Sequence, residues 1–131
     1  MGRLVRHADA APGEPDELRA LTPEGREAAR ALGERLAEEG VRADAVLTSP
    51  LLRARETGEA IARAAGVESE PDDRLAPGAT AEQVRAVAAD TGGRVAIVGH
   101  QPDCGRIAAE LSGGDEPAFP PAGVVRVLVD G

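Results

Sequence analysis

The 131-residue sequence predicts a three-layer α/β/α domain built on a mostly parallel central sheet. Three observations predict it. Short apolar runs alternate with longer segments of helical period, giving the order β-α-β-α-β-α-β-α-β. The run 94–99, Arg-Val-Ala-Ile-Val-Gly, is almost continuously apolar, as a strand buried on both faces of a parallel sheet must be. Start and stop residues also punctuate the helices in the right places.

Residues 3–7, Arg-Leu-Val-Arg-His, read as the first strand, and 8–21 as a polar loop containing Pro and Gly. Thr22-Pro23 opens a helix, with Thr as its cap and Pro as its first residue. Ala29, Leu32 and Leu36 follow at helical spacing, and Gly40 ends it. Residues 44–48 form the second strand. Ser49-Pro50 repeats the cap-plus-proline signal before the stripe Leu51, Ala54, Gly58, Ile61, Ala65, which Gly66 stops. Residues 67–70 suit a short third strand, and 71–79 a loop. Thr80 through Gln83 has the form of a capping box and opens a helix to about Thr91. After the 94–99 strand come a helix near 103–112, a Gly- and Pro-rich loop, and a last strand at 124–129. No linker, repeat or low-complexity segment interrupts this order, so residues 1–131 are expected to form one domain.

Composition narrows the function. The net charge is -8, and every cation is Arg because Lys is absent. Such a surface repels nucleic acid and anionic membranes at long range, so neither is expected as a partner. No apolar run reaches the ~18 residues of a membrane span. Cys104 is the single cysteine, which excludes an internal disulfide and reads as a reduced thiol. A cytoplasmic protein is the expectation. Phe119 is the only aromatic residue, so the core must be aliphatic.

Three strand ends carry unusual residues: His7, then Thr48-Ser49 with Arg53 one turn further on, then Gly99-His100. In a parallel sheet these share the carboxyl edge, where ligands bind in open α/β folds. The residue types suit phosphoryl transfer. Arg forks match the charged oxygens of a phosphoryl group in flight, and a helix N-terminus adds donors. One imidazole serves as nucleophile while the other, protonated, clamps an oxygen. Plainer readings stand beside these. Arg6 could neutralise nearby carboxylates. Ser49 and Thr22 read first as helix caps, Arg55 as a surface charge, and Glu14, Asp16 and Glu17 as solvated loop acids. Other chemistries fail on spacing. Cys104 has Arg106 near it but Glu110 where a cysteine phosphatase loop needs Arg. A Walker loop needs Lys, and two distant histidines do not make a metal-ligand pattern.

Taken together these residues resemble the histidine phosphatase superfamily, which includes the phosphoglycerate mutases. Leu4-Val5-Arg6-His7-Ala8-Asp9-Ala10 resembles its Arg-His-Gly signature in the variant of the SixA-type phosphohistidine phosphatase branch. Leu21-Thr22-Pro23-Glu24-Gly25 is similar to its Leu-Thr-x-x-Gly block, with Asp16 and Arg19 as the usual approach. Ser49-Pro50-Leu51-Leu52-Arg53-Ala54-Arg55-Glu56-Thr57 is similar to its Ser-Pro-x-x-Arg-Ala-x-x-Thr block, and Val98-Gly99-His100 to its closing Gly-His. The resemblance implies a phosphoglycerate mutase-like fold, without a large cap insertion. It implies His7 as the phosphorylated nucleophile and Arg6, Arg53 and His100 as the rest of the phosphate pocket, and it implies no metal or organic cofactor; phosphate contact is the secondary reading of Ser49, after its role as a cap. Its larger members carry a Glu general acid between the third and fourth blocks. Here that stretch offers only Asp72, Asp73 and Glu82, with Asp9 elsewhere, none in a recognisable motif. The expected activity is removal of phosphate from phosphohistidine on a protein, since a labile P–N bond needs little acid help and a short chain leaves the site open. A small-molecule phosphomonoesterase and a non-catalytic phosphate-binding module are the alternatives. Substrate identity and oligomeric state are left open.

Overall fold

The computed structural model describes residues 2–40 and 43–128. Five strands, β1 (Gly2–Arg6), β2 (Ala45–Thr48), β3 (Ser69–Pro71), β4 (Val95–Gly99) and β5 (Val124–Val127), form one sheet in the order β3-β2-β4-β1-β5. Four pairings hold it: β1, β2 and β3 are each parallel to their neighbours in the β3-β2-β4-β1 run, and β5 alone pairs antiparallel with β1. Four helices connect the strands: α1 (Pro23–Glu38), α2 (Leu52–Ala65), α3 (Ala81–Thr91) and α4 (Asp103–Ser112). The fold is thus the three-layer α/β/α arrangement that the sequence predicts. Residue 129, at the end of the expected last strand, lies outside the described residues.

Alternation along the strands divides the core. Leu4, Leu47, Val95 and Ile97 point to one face, where Val84 and Val87 of α3 and Ile107 and Ala108 of α4 cover them with Leu75 and Phe119. Val5, Val46, Ala96 and Val98 point to the other, against Leu32 and Leu36 of α1 and Ala54 and Ile61 of α2. A period of two feeds both layers from each strand, which is why the central runs are apolar throughout. The chain's lone aromatic, Phe119, is itself buried. Gly58 lets α2 lie against β2; a Cβ there would meet Thr48 Cγ2 at 2.3 Å.

Helix signals hold with one exception. The Thr22 hydroxyl accepts from Gly25 N–H, and Thr80 and Gln83 close a full capping box. Gly66 takes the left-handed conformation that stops α2. Ser49, however, does not cap α2. That helix begins three residues later, with Leu51 at the cap position and no side-chain capping bond. Ser49 Oγ accepts from Leu51 N–H at 3.2 Å, a local turn ahead of the helix, and its remaining hydrogen bond goes elsewhere.

Candidate active site

The parallel register brings the three strand ends to one rim. Arg6 stands opposite Gly99, and Thr48 opposite Val98. The ladder continues one residue further, with His7 N–H donating to Gly99 O at 3.0 Å and Ser49 N–H to Val98 O at 2.9 Å. His7 and His100 consequently face each other, ring centroids 5.2 Å apart and planes tilted by 58°.

The backbone fixes the proton on His7. Nδ1 lies 2.7 Å from the carbonyl oxygen of Ala8, which can only accept. Nδ1 therefore carries the hydrogen, and Nε2 keeps its lone pair. Burial lowers the His7 pKa against the raising effect of that hydrogen bond, and Arg53, Arg6 and Arg19 lower it further. A neutral, half-buried imidazole with an unprotonated nitrogen is the form a nucleophile needs.

The loop after His7 is braced on both sides. Ala8 N–H donates to Thr57 Oγ1 at 3.0 Å, and that hydroxyl donates to Arg53 O at 2.8 Å. Asp9 O accepts from Thr22 N–H at 3.0 Å. Gly25 seats the first turn of α1 on this loop, since a Cβ there would come within 2.1 Å of Asp9 O. The Leu-Thr-x-x-Gly block is thus a docking surface for the loop behind His7. Leu21 N–H is in turn held by Glu56 Oε1 at 2.8 Å, and Glu56 pairs with Arg26.

His100 is 5 % exposed, and its Nε2 lies 2.7 Å from Ser49 Oγ. Ser49 thereby reaches His100 through its hydroxyl, in place of the helix-cap role its position suggests. Burial, followed by the charges at His7 and Arg53, pushes the His100 pKa down to about 4. The ring is therefore neutral near pH 7, and the protonated clamp expected from the sequence is not the form the protein alone favours. Neutrality still leaves a donor. The Ser49 hydroxyl accepts from Leu51 and can donate its own hydrogen to Nε2, an arrangement that puts the ring hydrogen on Nδ1. His100 Nδ1 and Arg6 Nε are both buried with no hydrogen-bond partner among the described residues.

Arg6 is oriented by the far end of the chain: its Nη1 donates to Phe119 O at 3.0 Å. It neutralises no carboxylate among the described contacts. Arg53, 8 % exposed, donates from Nη1 to Asp16 O at 2.9 Å and from Nη2 to Asp16 Oδ2 at 3.2 Å. Asp16 is accordingly more than a solvated loop acid. Hydrogen bonds from Arg19 and Arg53 hold its carboxyl below the usual range. Glu14, Glu17 and Arg55 are exposed as the sequence suggests.

Carboxylates raised as candidate acids are engaged or remote. Asp9 Oδ2 accepts from the Thr22 hydroxyl at 3.0 Å. Asp72 is held by Arg74, which keeps its pKa low, and Arg74 also pairs with Asp90. Asp73 lies in the short turn after β3, and Glu82 in the first turn of α3; both are exposed. Buried Asp103 accepts from Gly78 N–H at 2.7 Å and pairs with Arg106. No group of three or more metal-capable side chains occurs among the described residues.

The sequence alone assigns no role to Thr57 or to the Phe119 carbonyl. The spacing of Arg53 and Thr57, four apart on one helix face, was the available signal for the first; a backbone acceptor 113 residues from Arg6 has none.

The family model for the histidine phosphatase superfamily (branch 1) matches residues 4–77, more than half of the chain. An uncharacterised protein of Picosynechococcus is 36 % identical over 112 residues, covering 82 % of this chain and 68 % of that protein. The phosphohistidine phosphatase SixA of Escherichia coli is 29 % identical, over 97 % of this chain and 84 % of its own. A solved structure of the protein histidine phosphatase SixA complexed with tungstate superposes with a TM-score of 0.83 at 29 % identity, covering 92 % of this chain and 83 % of that one. With an imidazole pair at the carboxyl edge of a phosphoglycerate mutase-like sheet, this chain is a phosphatase belonging to the histidine phosphatase superfamily, branch 1, in its SixA-type group.

Proposed function

We propose that this protein removes phosphate from phosphohistidine on a protein, through a phosphoryl group carried transiently on His7. The observation that carries the reading is the His7–His100 pair, 5.2 Å between ring centroids, with the unprotonated Nε2 of His7 fixed by the Ala8 carbonyl.

In the first step Nε2 of His7 attacks phosphorus in line, and the bond from phosphorus to the substrate nitrogen breaks. A substrate imidazole protonated on its other nitrogen leaves as a neutral ring and needs no acid from the enzyme. Asp9, Asp72 and Asp103, all engaged in hydrogen bonds, fit that economy. In the second step water attacks phosphorus, the bond to Nε2 breaks, and the water proton leaves with phosphate or to solvent. Arg6 through its unpartnered Nε, Arg53 through its fork and His100 through Nδ1 hold the equatorial oxygens in both steps. Ser49 contributes through His100, with its hydroxyl on Nε2.

Two features favour a protein-borne phosphate over a small phosphomonoester. The connection between β3 and α3, residues 72–80, carries one short turn and no insertion that could close over the rim. Leu18, 60 % exposed, stands two residues from Asp16 on that rim, an apolar contact that a protein surface can cover. The cytoplasm is the proposed compartment; buried, unpaired Cys104, its thiol pushed up to about 12 chiefly by burial, suits a reducing one. No described helix is long and apolar enough to cross a membrane.

The test is a substrate panel of phosphohistidine proteins and common phosphomonoesters, read beside His7→Ala. Acid-labile phosphate should appear on His7, and His7→Ala should lose turnover by about a thousandfold or more. Substantial activity in that variant removes the nucleophile assignment, and higher kcat/KM on free phosphomonoesters removes the protein substrate.

A further inference from the structure

The Arg53 guanidinium already has an anion on it. Asp16 presents its carbonyl oxygen to Nη1 at 2.9 Å and Oδ2 to Nη2 at 3.2 Å, while its Oδ1 accepts from Arg19 Nη1 at 3.1 Å. Arg19 is itself anchored, its Nε donating to Ala11 O at 2.8 Å. One carboxylate oxygen therefore rests on each of two guanidinium groups, much as two oxygens of a phosphoryl group would.

The pair is lopsided. Arg53 is almost wholly buried, whereas the Asp16 side chain is 59 % exposed and rides on the three-residue turn Asp16–Leu18. A buried guanidinium without an acceptor is costly, so something must satisfy it between turnovers. An exposed carboxylate does so cheaply, because ion pairs in solvent are weak and a side chain on a short surface turn moves with little else. A phosphoryl dianion brings twice the charge and three oxygens to the same fork, and displaces it. The Asp16 carbonyl keeps its own contact with Nη1, so Arg53 stays aimed when the carboxylate swings away.

We propose that the Asp16 carboxylate is an internal competitor for the oxyanion: it occupies the Arg53 fork in the resting enzyme, yields to the arriving phosphoryl group, and returns to help expel inorganic phosphate. This rests on the reading of Arg53 as a phosphate ligand. It makes Asp16 a positioning residue that trades affinity for product release, with no part in bond making.

The sign of the effect on anion affinity separates this role from a simple brace. Inhibition by tungstate and by inorganic phosphate is measured in the wild type, Asp16→Asn and Asp16→Ala, beside labelling of His7 with acid-labile phosphate and a thermal melt of each variant. Both substitutions should still permit the label and bind both oxyanions roughly threefold to tenfold more tightly than the wild type, with product inhibition strengthened by the same factor. Unchanged or weaker oxyanion binding in folded variants that still label overturns the competitor and leaves Asp16 a brace for Arg53. A wild type that neither labels nor binds tungstate overturns the phosphate pocket itself, and the competitor with it.

Discussion

His100 Nε2 lies 2.7 Å from the Oγ of Ser49, a residue 51 positions earlier that directly follows the neighbouring strand. Two adjacent strand ends are locked together by this bond, and the ring is turned so that Nδ1 remains for a ligand. Removing the hydroxyl frees the ring and strands a buried nitrogen. Ser49→Ala should lower kcat by about 10- to 100-fold, by analogy with the loss that follows removal of the partner orienting a metal-ligating histidine. Stability should fall by about 1–3 kcal/mol for the unsatisfied buried group. Steady-state kinetics and urea unfolding check both; an unaltered kcat would show that His100 needs no such support.

Arg53 is expected to hold phosphoryl oxygens through a planar fork. Arg53→Ala should fold normally yet lose about 100- to 1000-fold in turnover. Arg53→Lys should recover little of it, because a point charge cannot replace two parallel N–H donors. Thermal melts report the binding side: tungstate should raise the melting temperature of the wild type and leave that of Arg53→Ala unmoved. Equal protection of the two proteins would remove Arg53 from the pocket.

The depressed histidines predict an acid-side loss of stability. Both His7 and His100 bind a proton less readily in the folded protein than in the unfolded chain, His100 down to about 4. As pH falls through the ordinary histidine value near 6.5, the unfolded chain takes up protons that the folded one refuses, so stability declines. The His100 share of that decline ends near pH 4, where the folded ring also protonates. Asp16, whose pKa is also lowered, contributes stability that is lost only below the ordinary carboxylate value, outside this window. Urea melts at several pH values between 7.5 and 4.5 should show a smaller decline in His100→Asn than in the wild type. Parallel curves would mean that His100 titrates normally in the fold.

What could be read from the sequence was what local rules govern. The capping box at Thr80–Gln83, the left-handed stop at Gly66 and the edge holding His7 and His100 follow from spacing and composition, and all are present. What could not be read depended on partners remote in sequence. Ser49 before Pro50 looks like a helix cap, and only the arrival of His100 beside it decides where its hydroxyl goes. Asp16 looks like a loop acid until the turn folds back over α2 and meets Arg53. Arg6 is aimed by a carbonyl, and every residue has one, so no side-chain pattern announces it.

That carbonyl belongs to Phe119, in a segment that grips the end of β1 in two further places. Arg6 N–H donates to Gly123 O at 2.9 Å, and Ala122 N–H to His7 O at 3.2 Å. The stretch that steadies His7 and Arg6 thus lies more than a hundred residues further along the chain. A chain cut before residue 119 would keep His7 and Arg53 but lose the anchor of Arg6, so trimming that distant segment would loosen the rim without altering any of its side chains.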